Sequence, residues 1–285
     1  MTTVRTVVTM AALTLRQASR RRVLLALAGL TVLLLALSGW GFARLAAENG
    51  GAALTTGEAR FAASMLLNLV MFGYSLIAAL GTAFLAGPTL SGETESGVVL
   101  TMLARPIRRS AVLLGKWLGL VVGGAGFVVL AGLAQCLVVL WTTGYWPPQP
   151  ATALALLAAE TTVLLTLALL LSTAISPMAS GVVAVGLFGA TWVAGVVGGV
   201  GAALGNDAVA RVGTVSKMLL PTDGLWRGAM HAFQDPGVLG QLGAEIEGHP
   251  FLSEAPLTPA YLVWAAVWVA MIWGLALVSF ARKDL

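Results

Sequence analysis

Few residues in this chain can do chemistry, and most of them stand alone. Glu160 lies inside a long apolar run. If that run crosses a bilayer, an ionised carboxylate there costs on the order of 2.5–3.5 kcal/mol. Such a residue either meets a substrate or a proton, or is held by a hydrogen bond to Thr161, Thr162 or another helix. His231 and His249 have no second histidine at helical spacing, which argues against zinc. Cys136 is the single cysteine, which excludes an internal disulfide and a cysteine-cluster metal site. Within its apolar run it reads as a small buried hydrophobe. The nine methionines are scattered and give no copper pattern. Gly115-Lys116-Trp117 comes nearest to a nucleotide-phosphate loop, but lacks the following hydroxyl and the preceding glycine loop. Neither H-E-x-x-H nor G-x-S-x-G is present. The chain therefore reads as non-catalytic, with no metal site of its own.

The segment from Gly87 to Lys116 is the most patterned. Glu93 and Glu95 come first, with Gly92 and Gly97 around them. Val98, Val99, Leu100, Met102 and Leu103 then give about two apolar turns. Arg105-Pro106 ends them, because a proline disfavours helix in the residue before it. Arg108 and Arg109 follow. A short apolar helix between charged flanks needs something to bury it, and a docked protein fits best.

The surroundings of these residues are set by composition. Of 285 residues, 58% are apolar and only 10% charged. Ordinary soluble chains carry about 45–50% and about 25%. Mean hydropathy is +0.92. A soluble enzyme and a disordered chain are both excluded. Net charge is +4, but the positive charges flank apolar runs, so nucleic acid is not the implied partner. The expected fold is all-α and polytopic, one permease-like unit over residues 1–285 with six transmembrane helices. The spans are expected near 23–43, 62–86, 112–141, 151–175, 181–204 and 259–280. Each is close to or above the roughly 20 residues that cross a bilayer core. Arg20, Arg21 and Arg22 before the first span resemble the start of a signal peptide, but the run is long enough to be a retained span.

Five basic residues, Arg44, Arg60, Arg211, Lys217 and Arg227, fall on one side of these spans, and the other eleven fall on the side of the termini. The positive-inside rule then makes both termini cytoplasmic, which an even number of spans allows. Val4, Val7, Val8, Ala11 and Leu15 recur at helical spacing, which predicts an interfacial helix over residues 4–18. The third span is too long for the bilayer, and Lys116 suggests that its first turns project into the cytoplasm. The connection 87–111 is cytoplasmic. The outer segment 205–258 should hold a helix through Val209–Leu219, broken at Pro221. A second helix, Gly224–Phe233, would be capped by Thr222 or Asp223. Trp226 would anchor it at the membrane surface. Thr258-Pro259 should start the last span. Gly115, Gly119 and Gly123 repeat every four residues, as do Gly195–Gly199 and Gly201–Gly205, a spacing that lets helices approach closely.

The run Glu93-Thr-Glu-Ser-Gly97 with Leu100, Leu103, Arg105-Pro-Ile-Arg-Arg109 and Leu114-Gly-Lys116 resembles the cytoplasmic signature of ABC-2 type permeases. More narrowly, it is similar to the six-span permeases of the nitrous-oxide-reductase-maturation type. Leu171-Ser-Thr173 with Ser176, Leu220-Pro-Thr-Asp223 with Trp226, and the ending Phe280-Ala-Arg-Lys-Asp-Leu285 extend the likeness along most of the chain. The resemblance implies a non-catalytic subunit in the cell membrane that pairs with a second copy or a related permease. Two separate ATP-binding subunits would dock at Gly92, Glu93, Glu95, Gly97, Val99, Leu103, Arg105, Pro106, Arg108 and Arg109. ATP and magnesium would belong to those partners. The interfacial helix would lie near them, the direction would be export, and Pro221, Asp223 and Trp226 become candidates for an outer gate. Two other readings stand beside it. One is an ATP-independent carrier coupled to protons through Glu160, which should carry more intramembrane charges and paired broken helices. The other is a membrane scaffold.

Overall fold

The computed structural model describes residues 3–48, 57–95, 108–235, 249–253 and 255–282. Among the described residues there are helices and no strands. The helices are α1 (Thr3–Ser19), α2 (Arg22–Glu48), α3 (Gly57–Glu95), α4 (Arg109–Thr143), α5 (Pro150–Ala174), α6 (Pro177–Ala203), α7 (Asp207–Leu219), α8 (Thr222–Phe233) and α9 (Pro259–Arg282). Six are long and apolar enough to cross a membrane: α2, α3, α4, α5, α6 and α9. They coincide with the six expected spans. A lipid-facing backbone must satisfy its own hydrogen bonds, and such helices do so.

Local signals explain most of the boundaries. Proline opens α5, α6 and α9, where its missing N–H costs nothing. Gly144 ends α4 in the left-handed region at φ 69°, and its N–H returns to the Leu140 carbonyl. The Asn206 side chain caps α7 by accepting from the Val209 N–H at 3.2 Å.

Helix α5 is the axis of the molecule. It packs against α3, α4, α6, α8 and α9. Most of its apolar stretch is buried, whereas α2 and α9 expose most of theirs. Bare protein surface of that kind is what a bilayer covers. Helix α6 lies along α3, with Gly181 against the Ala83 backbone and Gly87 against the Pro177 carbonyl. Helices α7 and α8 pack on the ends of α6 and α5.

Three expectations need correction. The connection at 87–111 is helical at both edges, since α3 runs on to Glu95 and α4 begins at Arg109. Pro88 sits inside α3 without ending it. Helix α8 starts at Thr222, with Pro221 at its cap position and no side-chain cap from Thr222 or Asp223. Lys116 does not project into water. It is 3% exposed, and its Nζ donates to the Thr89 carbonyl of α3 at 2.8 Å. The two long helices run side by side here, so the ammonium finds a main-chain carbonyl before it finds solvent.

Candidate functional site

Polar groups gather at three levels of the bundle. At the end that holds the termini, α1 lies along the first turns of α4. The face it presents is Val7, Met10, Ala11 and Thr14. A methyl group on Gly115 would stand 2.7 Å from the Val7 carbonyl, and one on Gly119 would stand 2.6 Å from the Ala11 carbonyl. Leu15 packs over Gly123. The glycine repeat is thus the seat of α1, backbone against backbone. Of the expected apolar face, Val7 and Ala11 meet α4, while Val4 and Val8 are exposed.

Basic side chains at this end close main-chain carbonyls. Arg109 Nη1 donates to the Ala281 carbonyl at the end of α9 at 3.1 Å. That contact joins the start of α4 to the end of α9. Arg21 Nη1 donates to the Phe84 carbonyl at 3.0 Å. Phe84 is four residues before Pro88, so its carbonyl is the acceptor that the proline leaves without an N–H. Of the expected docking residues, Gly92, Glu93 and Glu95 lie on α3, and Arg108 and Arg109 flank the start of α4. Gly97, Val99, Leu103, Arg105 and Pro106 lie outside the described residues.

At mid-depth, Glu160 is buried and accepts from Ser75 Oγ of α3 at 2.9 Å. The partner is on another span, not Thr161 or Thr162, which turn back to their own helix carbonyls. Gln135 of α4 accepts from Ser38 Oγ of α2 at 2.8 Å and from Tyr74 Oη of α3 at 3.2 Å. Sequence reasoning passed over Gln135. Its signal was there: one amide in an apolar span has to find partners on neighbouring helices. Trp117 Nε1 donates to Thr166 Oγ1, and Thr173 Oγ1 donates to Ser279 Oγ, tying α4 and α9 to α5.

The far end is built around Asp223. Its carboxylate is fully buried and accepts from Arg227 Nε at 3.0 Å, one turn along α8. Lys217 Nζ of α7 stands at 3.9 Å. Gly195 of α6 provides the room, since any side chain there would collide with the carboxylate. Oδ1 of Asp223 has no hydrogen-bond partner. Burial raises the Asp223 pKa against the opposing pull of Arg227 and Lys217. Burial also lowers that of Lys217, and Arg227 adds to the effect. Both directions favour the neutral forms of this pair.

Two side chains of α9 clasp the end of α7. Tyr261 Oη donates to the Lys217 carbonyl at 2.9 Å, and Trp268 Nε1 donates to the Leu219 carbonyl at 2.8 Å. These are terminal carbonyls with no intrahelical partner. Gly224 leaves space for the Tyr261 ring. Thr222 and Thr191 hydroxyls meet at 3.0 Å and tie α8 to α6.

Trp226 is not a surface anchor. It is 1% exposed and packs beside Phe72, with ring centroids 5.4 Å apart. Trp192 and Phe251 complete this aromatic cluster around Phe72. The helix turns its apolar face inward, against α5 and α3, where it leaves water. Pro221, Asp223 and Trp226 are therefore brought together as an internal joint, not as a surface patch. No cluster of three or more His, Cys, Asp or Glu occurs among the described residues.

No curated protein matches this chain. The sequence model described as ABC-2 family transporter protein matches residues 8–285, almost the full length. Such membership generally implies a membrane subunit served by a separate ATP-binding subunit. With six apolar helices and that match, the chain is a multi-pass membrane protein that belongs to the ABC-2 family of transporters.

Proposed function

We propose that this chain forms the translocation path of an ATP-driven exporter and is moved by ATPase subunits docked at the end that holds its termini. In this reading that end is cytoplasmic, the membrane is the cell membrane, and two copies of the chain pair with two ATP-binding subunits. ATP and magnesium stay with those partners. This chain adds no chemical step. It receives a push at residues 87–111 and turns it into a change of helix packing.

The observation that supports this reading most is the joining of three elements beside that segment. Helix α3 leads into it and α4 leads out. Lys116 ties the two at Thr89, and α1 is seated on the glycines of α4. A partner that moves the intervening residues acts on all three elements together. In this reading the far-end joint of Pro221, Asp223 and Trp226 serves as the outer gate. Glu160 is satisfied by Ser75 and is assigned to packing in this reading.

The test is a pull-down of the solubilised protein from its host, beside a variant with Val99→Glu and Leu103→Glu. A P-loop ATPase retained by the wild type and lost from the variant supports the proposal. Full retention by the variant overturns docking at this segment.

A further inference from the structure

An apolar cavity of about 490 Å³ opens between the end of α1, the start of α2, and the flanks of α3 and α4. Binding sites for small molecules span roughly 300–1,000 Å³. Its lining is aliphatic and glycine apart from Phe127, Ser19 and Thr82. Both hydroxyls are already bonded within their own helices, Ser19 to the Arg16 carbonyl and Thr82 to the Ala78 carbonyl. Nothing in the cavity wall calls for a polar ligand.

The shape is a slot along α4. Its lining on that helix runs from Gly119 to Leu130. Eleven residue steps at 1.5 Å give about 16 Å. One leaflet of a hydrocarbon core about 30 Å thick is about 15 Å deep. Val122 and Leu130 form the lipid-side rim and are 60% and 70% exposed. The slot is therefore open sideways. A methyl group on Gly126 would meet nothing within 4 Å, so the wall is recessed there.

One end of the slot is strongly basic. Ala18, Ser19 and Leu24 line it, and Arg20, Arg21 and Arg22 form the link between them. Arg21 is engaged at Phe84, while Arg20 and Arg22 are exposed. An exposed basic link thus adjoins one end of an apolar slot about one leaflet long.

We propose that this slot binds a single anionic glycerophospholipid, its acyl chain along Gly119–Leu130 and its headgroup at Arg20 and Arg22.

The test is native mass spectrometry of the delipidated full-length protein, titrated with phosphatidylglycerol or with phosphatidylcholine. Phosphatidylglycerol is expected to bind more tightly. Arg20→Gln with Arg22→Gln should weaken it by roughly 30-fold, two arginines each contributing what one does near an anionic surface. Gly126→Phe and, from the opposite wall, Ala28→Phe should abolish binding of both lipids. Unfolding temperature and gel filtration identify any variant that fails to fold, and the arginine pair stands independently of the two fillers. Glycerol 3-phosphate should not displace the bound lipid. Equal affinity for the two lipids with no effect of the arginine pair overturns the proposal. So does unchanged binding in a folded filler variant, or displacement by glycerol 3-phosphate, which would leave only an anion site.

Discussion

The guanidinium of Arg21 lies 3.0 Å from the carbonyl oxygen of Phe84, the acceptor orphaned by Pro88 one turn further along α3. A side chain from before the first span thus completes the main chain of the second. This contact explains how α3 continues beyond a residue that ordinarily ends a helix.

Arg21→Ala should therefore lower stability in detergent by about 1–2 kcal/mol, a charged hydrogen bond at a partly exposed site. The same substitution in a Pro88→Ala background should cost less, because alanine at that position restores the missing N–H. The coupling is read from a double-mutant cycle of unfolding temperatures. Equal costs in both backgrounds would show that Arg21 and Pro88 act separately.

Gly119→Val should unseat α1. The added side chain would enter the Ala11 backbone, which cannot give way as a flexible side chain would. The readout is limited trypsinolysis after Arg16 and Arg20, expected to quicken at least several-fold. Gly29→Ala, whose Cβ would meet nothing within 4 Å, should leave cleavage unchanged.

Asp223→Ala should cost about 3 kcal/mol, since it strands Arg227 and Lys217 beside a partly dry pocket. Asp223→Asn should cost less. The pH dependence has a definite sign. Burial raises the folded-state pKa above the ordinary 3.8, so the folded protein takes up a proton first as pH falls. Stability from this group is full below 3.8 and declines as pH rises through the folded-state pKa. The asparagine variant should lack that slope in an unfolding titration starting near the ordinary aspartate pKa of about 4.

Glu160→Gln should match or exceed the wild type in stability, because an amide oxygen still accepts from Ser75 and no carboxyl is buried. Glu160→Ala should cost about 1–3 kcal/mol. Thermal unfolding separates the two. A large loss in the glutamine variant, with normal folding at low pH, would show that the carboxyl itself is required.

The spans were legible because 20-residue apolar runs have few other uses. Helices α7 and α8 were legible from valine spacing and Pro221. Apart from the cap of α8, where Asp223 turns to Arg227 one turn on, the misreadings share one cause: each depended on a partner distant in sequence. The chain from Gly87 onward looked like a loop because Arg21, which supports the helix past Pro88, comes from before the first span. Lys116 looked solvated because nothing local predicts Thr89 as its acceptor. Trp226 looked interfacial because its ring partner, Phe72, belongs to α3. Gln135 looked incidental because Ser38 and Tyr74 come from two other helices. The glycine repeat was visible, but which helix it received was not.

That seat has a consequence for how the chain is made. Val7 leaves the ribosome about a hundred residues ahead of Gly115, the residue it will rest on. At roughly 5–20 residues per second, α1 waits about 5–20 s for its seat to be synthesised. During that interval the helix has only the membrane surface to hold it, and Val4 and Val8 are apolar contacts that need not be surrendered when the seat arrives. The helix finds its place only once α4 has been made, and its outward valines give it somewhere to stay meanwhile.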